Sequence, residues 1–264
     1  MSYPAESYEN LMVPSLFAPW ASRLIQSANP RPGEHILDVA CGTGIVARQA
    51  AQRVGSLGSV TGLDLDPDKI NVARAAAERE GLAIEWHTGR AEQLSFPDHH
   101  FDFVFCQFGL MFFSDRHAAV SEMHRVLKMG GRLALSVWQS LEREPFYQTL
   151  EEVSRRHLGK SSVGAVFSLG DADVVRRLLT DTGFQDVEIE SVSITARFPN
   201  PQEFLAWEIE VDPAETPALQ NLAAEAQQVM LAALHEEMQA PLHEIIQDDE
   251  VVMPSHAYIA RARR

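Results

Sequence analysis

The chain has 264 residues, 45% of them hydrophobic and 22% charged. That balance suits a folded globular chain able to bury about 70–75% of its unfolded surface, and it excludes collagen-like, disulfide-scaffold and wholly disordered chains. Lysine and arginine number 22 against 37 aspartates and glutamates, a net charge of −15 with no basic stripe, which argues against a nucleic-acid partner.

Residues 1–33 read as a helical arm. Leu11, Val13, Leu16, Phe17, Trp20, Leu24 and Ile25 fall mostly at helical spacing, Pro14 and Pro19 limit where a helix can start, and Pro30, Pro32 and Gly33 stop it. From Glu34 the pattern alternates between strand and helix. Strands are predicted at 36–40, 60–65, 82–87, 101–107 and 132–138, with helices at 45–54, 67–80 and 116–127. This alternation implies right-handed β-α-β units and a mainly parallel, Rossmann-like sheet with helices on both faces. Beyond Trp138 the rhythm changes. Residues 139–168 are amphipathic and mixed, 171–182 read as a helix closed by Gly183, 184–198 as a long strand, 201–247 as an acidic helical insert, and 251–262 as a last strand. The expected α/β fold is a seven-stranded sheet over 34–200 and 251–264, with a helical arm or lid at 1–33 and an insert or cap at 201–250.

Cys41 and Cys106 lie 65 positions apart, which makes neither a disulfide framework nor a metal pattern. The opening MSYPAESYEN carries no basic segment followed by an apolar run, and the most apolar stretch, Phe101 to Phe113, is interrupted by Asp102, Gln107 and Gly109. A cytoplasmic protein with no membrane insertion is the expectation.

The strongest local signal is the run from His35 to Gly44, HILDVACGTG, a buried strand feeding a glycine loop that opens a helix. Gly42 and Gly44 permit a tight turn and a close ligand, and the unpaired N–H groups of the helix start face that ligand. Asp64 ends the second strand 20 residues after Gly44, where a carboxylate can accept both hydroxyls of a ribose. Gly42-x-Gly44-x-x-Ala47 also satisfies a dinucleotide fingerprint, so a nicotinamide-dependent oxidoreductase stays open, as does a non-catalytic cofactor-binding protein. Against nicotinamide stand the long arm before the first strand, the lack of a Tyr followed four residues later by Lys, and Asp38. A carboxylate four residues before Gly42 opposes a pyrophosphate and suits an ammonium or sulfonium.

These residues resemble the class I S-adenosylmethionine-dependent methyltransferases. Leu37 to Gly44 looks like the first motif, Gly62 to Pro67 the second, Gly89 to Asp98 with Phe101-Asp102 the third, and Glu122 to Arg132 the stretch before the fifth strand. The resemblance runs over about residues 34–138 and is nearest the small-molecule enzymes that include those of ubiquinone and menaquinone biosynthesis. It implies S-adenosylmethionine as cofactor. Gly42, Thr43 and Gly44 would wrap its amino-acid end, and Asp38 would orient the loop or the ammonium. Asp64 would hold the ribose, Leu65 would pack on adenine, Arg90 and Ala91 would sit at the adenine edge, and Gln107 would meet the methionine portion. Arg90 stands where the family often has Asp, with Glu92 or a backbone carbonyl as a substitute acceptor, and Met129 stands where it usually has Pro.

The stretch after the fourth strand lacks the Asn/Asp-Pro-Pro-aromatic run of amino-methylating enzymes that act on DNA bases or glutamine. With the charge, this points to methylation of a small, partly apolar molecule at O, N or C. Tyr8, Phe17, Phe108, Met111 and Trp138 are the candidate acceptor contacts. For chemistry the candidates are His117 and His124, seven apart on one face of a helix. No metal site is expected.

Overall fold

The computed structural model describes residues 5–159, 163–210 and 223–264; residues 211–222 of the expected insert and the first four of the arm lie outside these. The arm comprises a short α1 (Ala5–Ser7), a wide π-helical segment (Tyr8–Phe17) and α2 (Ala18–Ala28). Pro14 lies inside the wide segment: it has no N–H to donate and its ring crowds the carbonyl a turn earlier, so the helix opens there rather than continuing in α form. Asn29 then ends α2 in the left-handed conformation.

The strands are β1 (His35–Val39), β2 (Ser59–Asp64), β3 (Glu85–Thr88), β4 (Phe101–Gln107), β5 (Leu127–Trp138), β6 (Gln185–Phe198), β7 (Ile246–Gln247) and β8 (Glu250–Arg263). Between them run α3 (Ile45–Val54), α4 (Pro67–Arg79), α5 (Arg116–Val126), α6 (Pro145–Leu158), α7 (Ala172–Asp181), α8 (Pro201–Glu210) and α9 (Ala224–Glu244). The sheet order is β3-β2-β1-β4-β5-β8-β6, with β7 paired to β8. Pairs from β3 to β5 are parallel, and β8 is antiparallel to both β5 and β6. The sheet therefore has eight strands rather than seven. The extra one, β7, arises from a hairpin in which Asp248 and Asp249 both take positive φ, the geometry of a two-residue turn matched to strand twist.

Most expected boundaries hold to within a residue, and three expectations change by more. β3 begins at Glu85 rather than Leu82. β5 begins at Leu127, where the Phe101 pairing precedes a register shift. Residues 139–168 contain a full helix, α6.

Alternation along the strands builds two layers. Ile36, Phe103, Phe105 and Ala134 face α2 and α3, while Leu37, Val104, Cys106, Leu133 and Leu135 face the opposite layer that includes α5 and α7. Side chains of this kind contribute about 1.5–3 kcal/mol each when fully buried. The arm belongs to this core: Trp20 and Leu24 are completely buried. Arg48 of α3, itself buried, holds Glu9 of the arm at 2.6 Å. Arg132 of β5 bonds Glu34 at 2.7 Å and the Ala28 carbonyl at 3.0 Å, fixing the arm's far end. The insert is likewise packed in. Phe204, Leu205, Leu234 and Met238 join the same core as the sheet's second face, and α9 lies on α6 and α8.

Cys41 and Cys106 are both free and buried. Among the described residues no helix is long and apolar enough to cross a membrane, and no cluster of three potential metal ligands occurs.

Candidate active site

The carboxyl ends of β1, β2, β4 and β5 open into a cavity of about 530 Å³. It lies where the chain order reverses between β1 and β4, the place at which parallel α/β sheets collect ligands. The loop after β1 forms one wall. Ala40 has φ +56° and Gly42 also φ +56°, so the backbone doubles back tightly before Gly44 starts α3. A Cβ on Gly42 would meet nothing nearer than the Tyr8 ring, 3.9 Å away, so this glycine leaves room on the cavity side.

Two carboxyl groups hold that loop. Asp64, ending β2, accepts the N–H of Gly42 at 2.7 Å through Oδ2 and that of Asp66 at 3.0 Å through Oδ1. Asp38, buried within β1, accepts the Ala47 N–H of α3 at 3.0 Å through Oδ2. Its Oδ1 is buried with no hydrogen-bond partner, and so are Thr43 Oγ1 and Gln107 Oε1. All three residues line the cavity. Burial pushes the Asp38 carboxyl up to about 8; the Asp64 charge adds to the rise and the Ala47 hydrogen bond opposes it. Buried oxygens without partners, in a cavity walled by Asp38, Asp64, Asp66, Asp68, Glu92, Glu144 and Glu208 against only Lys69 and Arg90, fit a cationic ligand that brings its own donors. Such a set of acceptor oxygens fits S-adenosylmethionine, with its ammonium and sulfonium, and opposes a pyrophosphate.

At the adenine edge expected from the sequence, Arg90 is exposed and reaches Glu92 at 3.4 Å. Glu92 also accepts the hydroxyl of Ser114 at 2.7 Å and its N–H at 3.1 Å. Those Ser114 hydrogen bonds lower the Glu92 carboxyl against the effect of its burial. Leu65 is exposed at the rim of the same opening.

The rest of the cavity is aromatic. Phe108, just past β4, has φ +51°, a strained conformation for a bulky residue, and its ring stacks on Trp138 with centroids 3.7 Å apart and planes 7° from parallel. Trp20 of the arm meets both rings edge-on and donates its indole N–H to Ser255 at 3.2 Å. Gln107 donates to the Phe17 carbonyl at 3.1 Å, tying the arm to the end of β4. Above the glycine loop, Tyr8 stacks on Phe17 at 5.1 Å and meets Trp207 of α8 at 6.0 Å, so arm and insert touch across the opening. Burial raises the Tyr8 phenol, with the Asp64 charge adding to it, so this tyrosine stays neutral.

Of the residues singled out in the sequence, Asp38, Gly42, Thr43, Asp64, Leu65, Arg90, Ala91 and Gln107 all line this one cavity, together with Tyr8, Phe17, Phe108 and Trp138. Four others do not. Gly44 is covered by Trp86: a Cβ there would stand 2.4 Å from the ring, and one on Gly62 would stand 2.3 Å away. These glycines admit the tryptophan between sheet and helix, so the close approach at Gly44 is made by the protein itself. Met111 is buried in the core, where its carbonyl accepts from Arg116 at 2.9 Å. His117 is exposed on α5 and faces Ser121 at 3.5 Å. His124 packs edge-on against Phe184 of the β6 approach, and burial lowers its imidazole, with the Arg264 charge next in effect. Neither histidine reaches the cavity, because the α5 face that carries them turns toward solvent and α7 rather than toward the sheet edge.

Sequence reasoning did not single out Glu144, Tyr147, Phe167, Trp207 or Ser255, all of which line the cavity. They come from the mixed region after β5, from the insert and from β8, where local sequence carries no motif.

A family model described as "Methyltransferase domain" matches residues 37–135. The Chromobacterium violaceum ubiquinone/menaquinone biosynthesis C-methyltransferase UbiE is 31% identical over 198 residues, which is 70% of this chain and 80% of that protein. The Neisseria meningitidis UbiE is 30% identical over 204 residues, covering 72% and 83%. A Bacillus halodurans protein assigned as a methyltransferase has a crystal structure that superposes with a TM-score of 0.62 at 26% identity, covering 92% of this chain and 97% of that one. The glycine loop, the two aspartates and the donor-seeking cavity thus occur in a chain that belongs to the S-adenosylmethionine-dependent methyltransferases.

Proposed function

We propose that this enzyme C-methylates a small phenolic or hydroquinone-type acceptor. The observation that carries the reading is the aromatic chamber that continues from Gln107 and Phe108 past Trp138 to Tyr147, Phe167 and Trp207. A planar, electron-rich ring can stack there, and relatives at about 30% identity bear the name of quinone-biosynthesis C-methyltransferases. The net charge of −15 supports a small-molecule acceptor over a nucleic acid.

Within this reading S-adenosylmethionine supplies an electrophilic methyl group. Asp38, Thr43 and the Gly42 loop hold its amino-acid end, Asp64 the ribose, Leu65, Arg90 and Ala91 the adenine side, and Gln107 the methionine portion. The arm, residues 1–33, and the insert, residues 201–250, act as caps on the domain formed by 34–200 and 251–264. The Tyr8 to Trp207 contact supports this division. The caps exclude water and align ring carbon and methyl group, and alignment of that kind is worth effective molarities of ~10⁵–10⁸ M. In the test, the enzyme is incubated with S-adenosylmethionine carrying a ¹³C methyl and a panel of hydroquinones, phenols and amines. The expected product signal is that of a methyl on a ring carbon; label on oxygen or nitrogen alone would overturn the acceptor class.

A further inference from the structure

Buried Glu144 and half-buried His256 form a pair that the cofactor assignment leaves unused. Glu144 lies at the start of α6, six residues after the end of β5, and only 5% of its side chain is accessible. His256 lies on the central antiparallel strand β8. It offers Glu144 Oε1 two N–H groups, the backbone at 2.8 Å and Nδ1 at 3.0 Å. Among the described residues no hydrogen bond reaches Oε2, and Glu144 lines the cavity beside Trp138, Tyr147 and Ser255. Sheet order separates this pair from the ribose acid. Asp64 ends β2 on one side of the β1–β4 crevice, whereas Glu144 follows β5 and His256 sits on β8, on the other side. A carboxylate held through one oxygen, with no hydrogen bond on the other, in a residue that lines an aromatic-walled cavity, has the geometry of a proton acceptor.

From this placement we infer that Glu144 is the base that takes the hydroxyl proton of a phenolic acceptor, with His256 as the residue that positions it. The inference rests on the acceptor class proposed above. The hydroxyl proton moves to Oε2. The electron pair released into the ring forms the new carbon–carbon bond as the carbon–sulfur bond breaks, leaving S-adenosylhomocysteine. The methylated ring carbon still carries its hydrogen; tautomerisation returns that proton to the ring oxygen and restores the aromatic ring. Glu144 then gives its proton to solvent, so each turnover releases one proton.

The surroundings tune the carboxyl for this task. Burial raises it, and the His256 hydrogen bonds, the His256 charge and the Arg143 charge pull it back down. Arg143 itself donates to Gln139 at 2.9 Å. Among the described residues, Glu208 and Tyr147, bonded to each other at 3.1 Å, are the other titratable groups on this part of the cavity.

The test uses the full-length enzyme saturated with S-adenosylhomocysteine and the probe 4-nitrocatechol, whose ionised form has its own visible absorbance band. Wild type is expected to bind the probe in the ionised form below the pH at which it ionises in water. Glu144→Gln is expected to lose that band while keeping S-adenosylhomocysteine affinity within threefold, and to lower turnover of the acceptor by ~10²–10⁴-fold. Glu144→Asp should recover part of both signals, which a merely unfolded site would not do. His256→Leu should move the acidic limb of the turnover profile to higher pH, because the imidazole N–H and its charge are gone and only the backbone N–H and Arg143 still lower the Glu144 carboxyl, whereas His256→Gln, which keeps a side-chain donor, should move it less. If Glu144→Gln keeps the ionised band or wild-type turnover, the base assignment is overturned while the acceptor class stands. If wild type binds S-adenosylhomocysteine but neither ionises the probe nor methylates any phenol, the acceptor class falls and this inference with it.

Discussion

If the amino-acid end of the cofactor lies at Asp38, as proposed, binding has a pH dependence whose size follows from the surroundings of this residue. Its Oδ1 is buried without a partner and its carboxyl is pushed up to about 8. At pH 7 the ligand-free protein therefore carries about 0.9 proton on this group. An incoming ammonium stabilises the carboxylate, so binding must expel that proton. Affinity for S-adenosylhomocysteine should rise roughly 50-fold from pH 6 to pH 8 and then level off. Calorimetry in buffers of different ionisation enthalpy should show release of close to one proton per ligand at pH 7. Asp38→Asn removes both the slope and the proton release, and at pH 8 it should cost about 1.5–3 kcal/mol of binding, the range for a hydrogen bond to a charged group. The same group acts on stability with a fixed sign. Its native value lies above its unfolded one, so its contribution is present below about pH 4 and is lost as the pH rises toward 8 in the ligand-free protein. A wild-type affinity that stays flat from pH 6 to 8, or an Asn variant that keeps the slope, would refute the placement of the ammonium at Asp38.

Asp64→Ala deletes the acceptor proposed for the ribose and also frees the Gly42 loop, so calorimetry should show cofactor binding weakened by ~10²-fold or more; unchanged affinity would remove the ribose from this residue. Gly44→Ala forces a Cβ into the Trp86 ring at a residue with φ +85°, and thermal unfolding should show a loss of about 1–3 kcal/mol even without ligand. Arg90 is exposed and loosely paired, so Arg90→Asp should leave S-adenosylhomocysteine affinity within tenfold; a larger loss would mean that the guanidinium itself touches the ligand. Tyr8→Ala opens the contact between arm and insert without touching the fully buried Trp20, and it should reduce methyl transfer at least tenfold while unfolding stays cooperative; wild-type turnover in this variant would remove the arm from the cap.

The half of the site built from β1, β2 and β4 is legible in the sequence because each element there is local. A strand, a glycine turn and a helix start occupy ten consecutive residues, and Asp64 ends the next strand. Ligand wall and chain order coincide. The half proposed for the acceptor is assembled from residues far apart in the chain. Glu144 meets His256 across 112 positions and Trp20 meets Ser255 across 235, pairings that only the antiparallel insertion of β8 beside β5 creates. Gly44 shows the limit of motif reading. Its glycine character is real, yet it serves Trp86, a residue that no local spacing links to the loop. The histidines of α5 mislead for a related reason, since periodicity fixes which residues share a face but not which way that face turns.

The most direct measurement is a crystal structure of the full chain with S-adenosylhomocysteine and a hydroquinone bound. The expected result has the ribose hydroxyls on Asp64, the amino group at Asp38, and the hydroquinone stacked among Phe108, Trp138 and Trp207 with one hydroxyl at Glu144. A cofactor lying elsewhere on the molecule, or an acceptor ring outside the chamber, would contradict the account.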